Sequence, residues 1–72
     1  MEIADFNNGV ARAAYALAVD WFENKGSADR WLQKYNVLLR GIPVNFLETE
    51  IGAQEVYDLI DSWKYGFPTG HF

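Results

Sequence analysis

VARAAYALAVDWFENK, residues 10–25, lies between Gly9 and Gly26 and is rich in alanine and leucine, the residues that cost a helix least. Val10, Ala14, Leu17 and Trp21 return at helical spacing, which predicts an amphipathic first helix. Asn7 or Asn8 supplies the side-chain oxygen that caps its free amides. A second apolar row, Tyr15, Val19 and Phe22, leaves only Arg12, Ala16, Asp20 and Glu23 as a narrow polar strip. That is more apolar surface than one small core needs. Either the other helices wrap a short first helix, or Tyr15, Val19 and Phe22 form a dimer or partner face.

Outward from this segment, single glycines and prolines punctuate the chain and mark about four helices. Ser27 is placed to cap the second, Asp29 complements its positive end, and Ala28, Trp31, Leu32 and Tyr35 form one face that ends near Asn36. NVLLRGIP, residues 36–43, contains two breakers. Pro43 suits the first position of a short helix PVNFLE, where its missing amide hydrogen is not needed and Val44 and Leu47 point inward. Thr49 caps the last helix, in which Ala53, Val56, Ile60 and Trp63 make the apolar stripe and Asp58, Asp61 and Lys64 face water. Gly52 is costly near a helix start, which predicts that another backbone passes there too closely for a side chain. The expected fold is all-α, a compact bundle of about four short helices followed by an irregular aromatic C-terminal tail. With 72 residues, positions 1–72 are expected to share one core.

Composition narrows the function classes. Twelve aromatic residues (three Trp, four Tyr, five Phe) offset the short length. There is no cysteine for a disulfide or a thiolate metal site. Ten acidic against six basic residues give a net charge of −4, which disfavours direct DNA binding because phosphate contacts need Lys or Arg. No basic leader and no apolar run near the roughly 18 residues of a membrane span is present, so a cytoplasmic protein without a membrane anchor is expected. One His, two Ser and two Thr are few groups from which to build a nucleophile, base or metal site. His71 sits next to last, Asp58 and Asp61 fall on a polar helix face, and Glu50 answers the helix dipole. The expectation is a binding protein, with no enzymatic activity, cofactor or metal.

The stretch YGFPTGHF, residues 65–72, concentrates aromatics among glycine and proline. Its rings either fold back on the chain's own core or anchor in a partner. From Ala28 to Gly66 the order of residues resembles the toxin-binding domain of the MbcA/ParS/Xre family of bacterial antitoxins. The resemblance rests on Ala28, Trp31-Leu32, Asn36, Leu38 or Leu39, Gly41, Pro43, Leu47, Thr49, Gly52, Val56, Leu59 and Gly66, in the family's order and near its spacing. It implies a compact helical domain that binds a toxin of the RES type, whose chemistry consumes NAD or transfers its ADP-ribose, and holds it inactive. It further implies that the region after the last helix reaches the toxin's active-site entrance. Here that region is Lys64, Tyr65, Gly66, Phe67, Pro68, Thr69, Gly70, His71 and Phe72. Family members commonly carry a helix-turn-helix region ahead of this domain, whereas the 27 residues before Ala28 suffice for one helix and its leader. The competing expectation is a stand-alone acidic inhibitor from a phage or plasmid, which binds a nucleic-acid-handling complex through Glu48, Glu50, Asp58 and Asp61. A homodimerising structural module is the third.

Overall fold

Asn8 starts the first helix, as its side chain predicts: Oδ1 accepts the Ala11 N–H at 2.7 Å, while Nδ2 donates to the Leu47 carbonyl at 3.3 Å. The computed structural model describes residues 1–64. Helix α1 runs Gly9–Phe22, α2 Lys25–Leu32, α3 Pro43–Phe46 and α4 Glu50–Lys64, preceded by a single 3-10 turn at Ile3–Asp5. The expected all-α bundle of four short helices is what forms. Among the described residues there is no strand, only an isolated bridge between Asn36 and Gly41. None of their helices is long and apolar enough to cross a membrane.

The core packs three alanines and one tyrosine of α1 against its neighbours. Ala11, Ala14, Tyr15 and Ala18 are buried, against Ala28 and Leu32 of α2, Leu47 after α3, and Ala53, Val56 and Ile60 of α4. The alanines let α1 lie close to α4, with which it packs most extensively. This face is rotated from the expected row: Ala14 is central, but Val10 and Leu17 are only half-buried and Trp21 is 41% exposed. The polar strip Arg12, Ala16, Asp20 and Glu23 is exposed as expected, and so are Asp58 and Lys64, while Asp61 is half-buried.

Two boundaries differ from the sequence reading, each for a local reason. Glu23 adopts a left-handed conformation (φ 58°) that ends α1, and the next residue, Asn24, not Ser27, caps α2 by accepting the Ser27 N–H at 3.0 Å. At its other end α2 stops at Leu32, before the expected Asn36, because Asn36 is committed to a loop. Its Oδ1 accepts the N–H groups of Leu38 (2.9 Å) and Leu39 (3.1 Å), its backbone pairs with Gly41, and Arg40 closes the turn with φ 59°. Tyr35 consequently lies outside the helix and is exposed rather than on the inner face.

Pro43 opens α3 in the first turn, and Thr49 caps α4 by accepting the Gly52 N–H at 3.0 Å, both as expected. Leu47 is buried and Val44 half-buried. A methyl group on Gly52 would overlap the Phe46 carbonyl oxygen, so glycine there is what lets α4 cross the end of α3.

Candidate functional site

Four aromatic side chains from three helices meet where α1, α2 and α4 end. Trp21 and Phe22 come from the last turn of α1, Trp31 from the end of α2 and Trp63 from the end of α4. Trp63 is the hub, with ring centroids 5.8 Å from Trp21, 6.4 Å from Phe22 and 5.4 Å from Trp31. The contacts with Phe22 and Trp31 are edge-on, at 83° and 81°, the favourable arrangement for ring quadrupoles. Phe22 and Trp31 are 5.9 Å apart. The four rings line an open cup of about 380 Å³. Lys64, the next residue after Trp63, holds its ammonium 3.7 Å from Asp20 across the end of α1. That pair is exposed and contributes little, so the rings themselves hold the end of α4 against α1.

A second surface is the loop between α2 and α3. Tyr35, Val37 and Leu38 are 66%, 77% and 68% exposed, although Asn36 ties the loop backbone down. Arg30, Lys34 and Arg40 lie in or beside it, and no acidic residue occurs between Arg30 and Leu47. A chain of net charge −4 therefore carries one basic, apolar stretch, held open by backbone hydrogen bonds rather than by burial.

Tyr15 has a different role from the one its spacing implied. It is 3% exposed, and its hydroxyl lies 2.7 Å from Asp29 Oδ1 and 2.9 Å from the Met1 carbonyl. Burial of the ring, and then the bond to Asp29, push the Tyr15 hydroxyl above its ordinary range. Asp29 also accepts from Lys25 at 3.2 Å and from the Met1 amine at 3.1 Å. Burial disfavours its charge, but the hydrogen bonds from Tyr15, the Met1 amine and Lys25 prevail and hold its carboxyl below the usual value. Lys25 is raised, first by that bond to Asp29. This network ties α2 to α1 and to the first residues of the chain.

Tyr15, Val19 and Phe22 thus do not form one exposed face: Tyr15 is inside, Val19 is half-buried and Phe22 belongs to the cup. Of the expected partner-binding residues Lys64 is exposed at the end of α4, and Tyr65, Gly66, Phe67, Pro68, Thr69, Gly70, His71 and Phe72 lie outside the described residues. The cup and the α2–α3 loop are the surfaces that sequence reasoning missed. The signal for the first was three tryptophans near three helix ends. For the second it was an apolar run bounded by Asn36 and Gly41, the latter crowded against the Phe46 ring.

No curated protein and no solved structure matches the chain. A family model does, that of the antitoxin Xre/MbcA/ParS C-terminal toxin-binding domain, over residues 17–66. The match begins within α1, ahead of the Ala28 at which the resemblance was first legible, and takes in all of α2, α3 and α4 together with the four rings of the cup. More than half of the sequence falls inside it, and the chain belongs to the Xre/MbcA/ParS family of antitoxin toxin-binding domains.

Proposed function

We infer that the chain neutralises a toxin of the RES type by docking on it and covering the entrance of its NAD-consuming active site. The observation that carries this reading is the family match, which runs from α1 through α4 to Gly66, where the expected partner-binding segment has already begun. The chain itself does no chemistry. Lys64 through Phe72 enter or cover the toxin's active-site entrance, with the aromatic side chains as anchors. The four helices hold the root of this segment at the end of α4, which limits the freedom it loses on binding.

The test is NAD consumption by a purified RES-type toxin, with the full chain or a chain lacking residues 66–72 added. The full chain should suppress turnover. The truncated one should leave it running while keeping nearly the same helical circular dichroism, since α1 to α4 end before the cut. Equal inhibition by the two would remove the segment from the mechanism. Aromatic anchoring also predicts binding that hardly responds to moderate salt, whereas docking led by Glu48, Glu50, Asp58 and Asp61 would weaken steeply.

A further inference from the structure

We propose that the chain pairs with a second copy of itself, the basic loop between α2 and α3 of one copy lying against the acidic start of α4 of the other. Among the described residues four large apolar side chains are far more exposed than the rest: Tyr35 at 66%, Val37 at 77%, Leu38 at 68% and Ile51 at 79%, the next being Ile3 at 45%. They fall into two groups with opposite charge around them. Tyr35, Val37 and Leu38 are accompanied by the exposed Arg30, Lys34 and Arg40, and no acidic residue occurs from Arg30 to Leu47. Ile51 is accompanied by the exposed Glu48, Glu50, Glu55 and Asp58, and no basic residue occurs from Gly41 to Trp63.

The fold does not neutralise these charges itself. Among the described residues every ion pair uses Lys25, Lys64 or the Met1 amine, so none of the three cations and none of the four carboxylates is paired. Both groups stand on ordered backbone, which limits the freedom lost on docking. Asn36 ties down the loop amides, and Ile51, Glu55 and Asp58 follow one another on a single face of α4 at helical spacing. The two groups flank the four-residue helix α3: the Phe46 ring lies against Gly41 at the end of the loop, and the Phe46 carbonyl lies against Gly52, next to Ile51. A two-fold axis between copies therefore sets each basic loop against the other copy's acidic helix start, makes both contacts at once, and closes the assembly at two. Burial of the four apolar side chains supplies the affinity, while the charges fix the register and exclude like against like. The net charge of −4 repels a second copy at long range, but physiological salt screens that repulsion beyond about 8 Å, and pairs in contact are of opposite sign.

The experiment is sedimentation of the full chain from about 1 μM to about 1 mM. Wild type should pass from one copy to two over that range and go no further. One variant carries Lys34→Glu and Arg40→Glu, the other Glu48→Lys and Glu55→Lys. All four side chains are exposed, and circular dichroism verifies that the helices persist. Either variant alone sets like charges against each other and should raise the dimer dissociation constant by about a hundredfold. Mixed in equal amounts, the two should pair one to one about as tightly as wild type, because every contact again joins opposite charges. A variant that had merely lost its fold could not be rescued in this way. Wild type that stays single at the highest concentration would overturn the proposal, and so would a mixture that fails to pair where wild type does. Residues 65–72 are unchanged throughout and no toxin is in the sample, so failure here leaves the toxin reading intact.

Discussion

Tyr15 and Asp29 join α1 to α2 through a hydrogen bond in which the phenol Oη donates to the carboxylate Oδ1 at 2.7 Å. A phenol has one hydrogen to give, and the Met1 carbonyl at 2.9 Å competes for it, but the carboxylate is nearer and charged. Tyr15→Phe keeps the buried ring and removes only this bond. Asp29 retains Lys25 and the Met1 amine, and its side chain is 17% exposed, so the loss falls at the low end for a bond to a charged group, about 1–2 kcal/mol. In a domain this size that lowers the thermal midpoint by about 4–8 °C per kcal/mol. Thermal unfolding followed by circular dichroism measures it, and an unchanged midpoint would show that the ring alone holds α2.

The same carboxylate gives the fold an acid limit. Burial works against its charge, but the bonds from Tyr15, the Met1 amine and Lys25 keep its folded pKa below the unfolded value of about 3.9. The unfolded chain therefore binds more protons in that range. Asp29's contribution is complete above about pH 3.9 and is lost as pH falls through the folded value. The stability gap between wild type and Asp29→Asn should be constant near neutrality and narrow progressively as pH falls below about 5. Urea unfolding at a series of pH values reads the gap. A gap that stays the same at every pH would mean that the charge on Asp29 contributes nothing.

Gly52→Ala sets two opposing effects against each other. Alanine is the better helix former by about 1 kcal/mol. Its methyl group, however, would overlap the Phe46 carbonyl oxygen and lie 3.1 Å from the carbonyl carbon and Cα, all backbone atoms that cannot rotate away. Overpacking costs about 1–3 kcal/mol, and a clash with fixed backbone falls in the upper part of that range, so steric cost prevails and the variant loses roughly 1–2 kcal/mol. Gly9→Ala is the control: nothing lies within 4 Å of the added carbon, and the variant should gain about 0.4–1 kcal/mol. Denaturant midpoints with unchanged m-values would verify the opposite signs.

Gly52 also shows what a sequence makes legible. A glycine in the first turn of a strong helical pattern conflicts with local propensity, and the conflict points to a close approach that only the tertiary fold displays. Asn8, Pro43 and Thr49 were legible for a similar reason, since each acts on amides or dihedral angles within a few residues of itself. The limits of α2 were not. Asn24, Ser27 and Asn36 are all competent to cap or to turn, and the left-handed Glu23 and Arg40 decide between them without any signal in residue type. The cup has no signature in the sequence because Trp21, Trp31 and Trp63 are far apart in the chain, and periodicity records only which face a residue is on. The burial of Tyr15 is hidden for the same reason: its spacing fits a second apolar row, and the partner that draws it inward, Asp29, lies on another helix.

The four rings of the cup should not contribute equally. Trp63 meets three others, whereas Trp21 meets only Trp63 among them and is 41% exposed. Full burial of a Trp is worth about 3–5 kcal/mol against alanine, so half-buried Trp63→Ala should cost about 2–3 kcal/mol and Trp21→Ala about 1. Trp31, in contact with both Phe22 and Trp63, should fall between. Trp21 and Trp63 are 5.8 Å apart, close enough that their losses should not add. The double variant should be less destabilised than the sum by about 0.5–1.5 kcal/mol, the energy of one aromatic pair. Equilibrium unfolding of the four proteins completes the cycle. If the losses added within error, Trp21 and Trp63 would be neighbours without being coupled, each holding the end of α4 through its own burial.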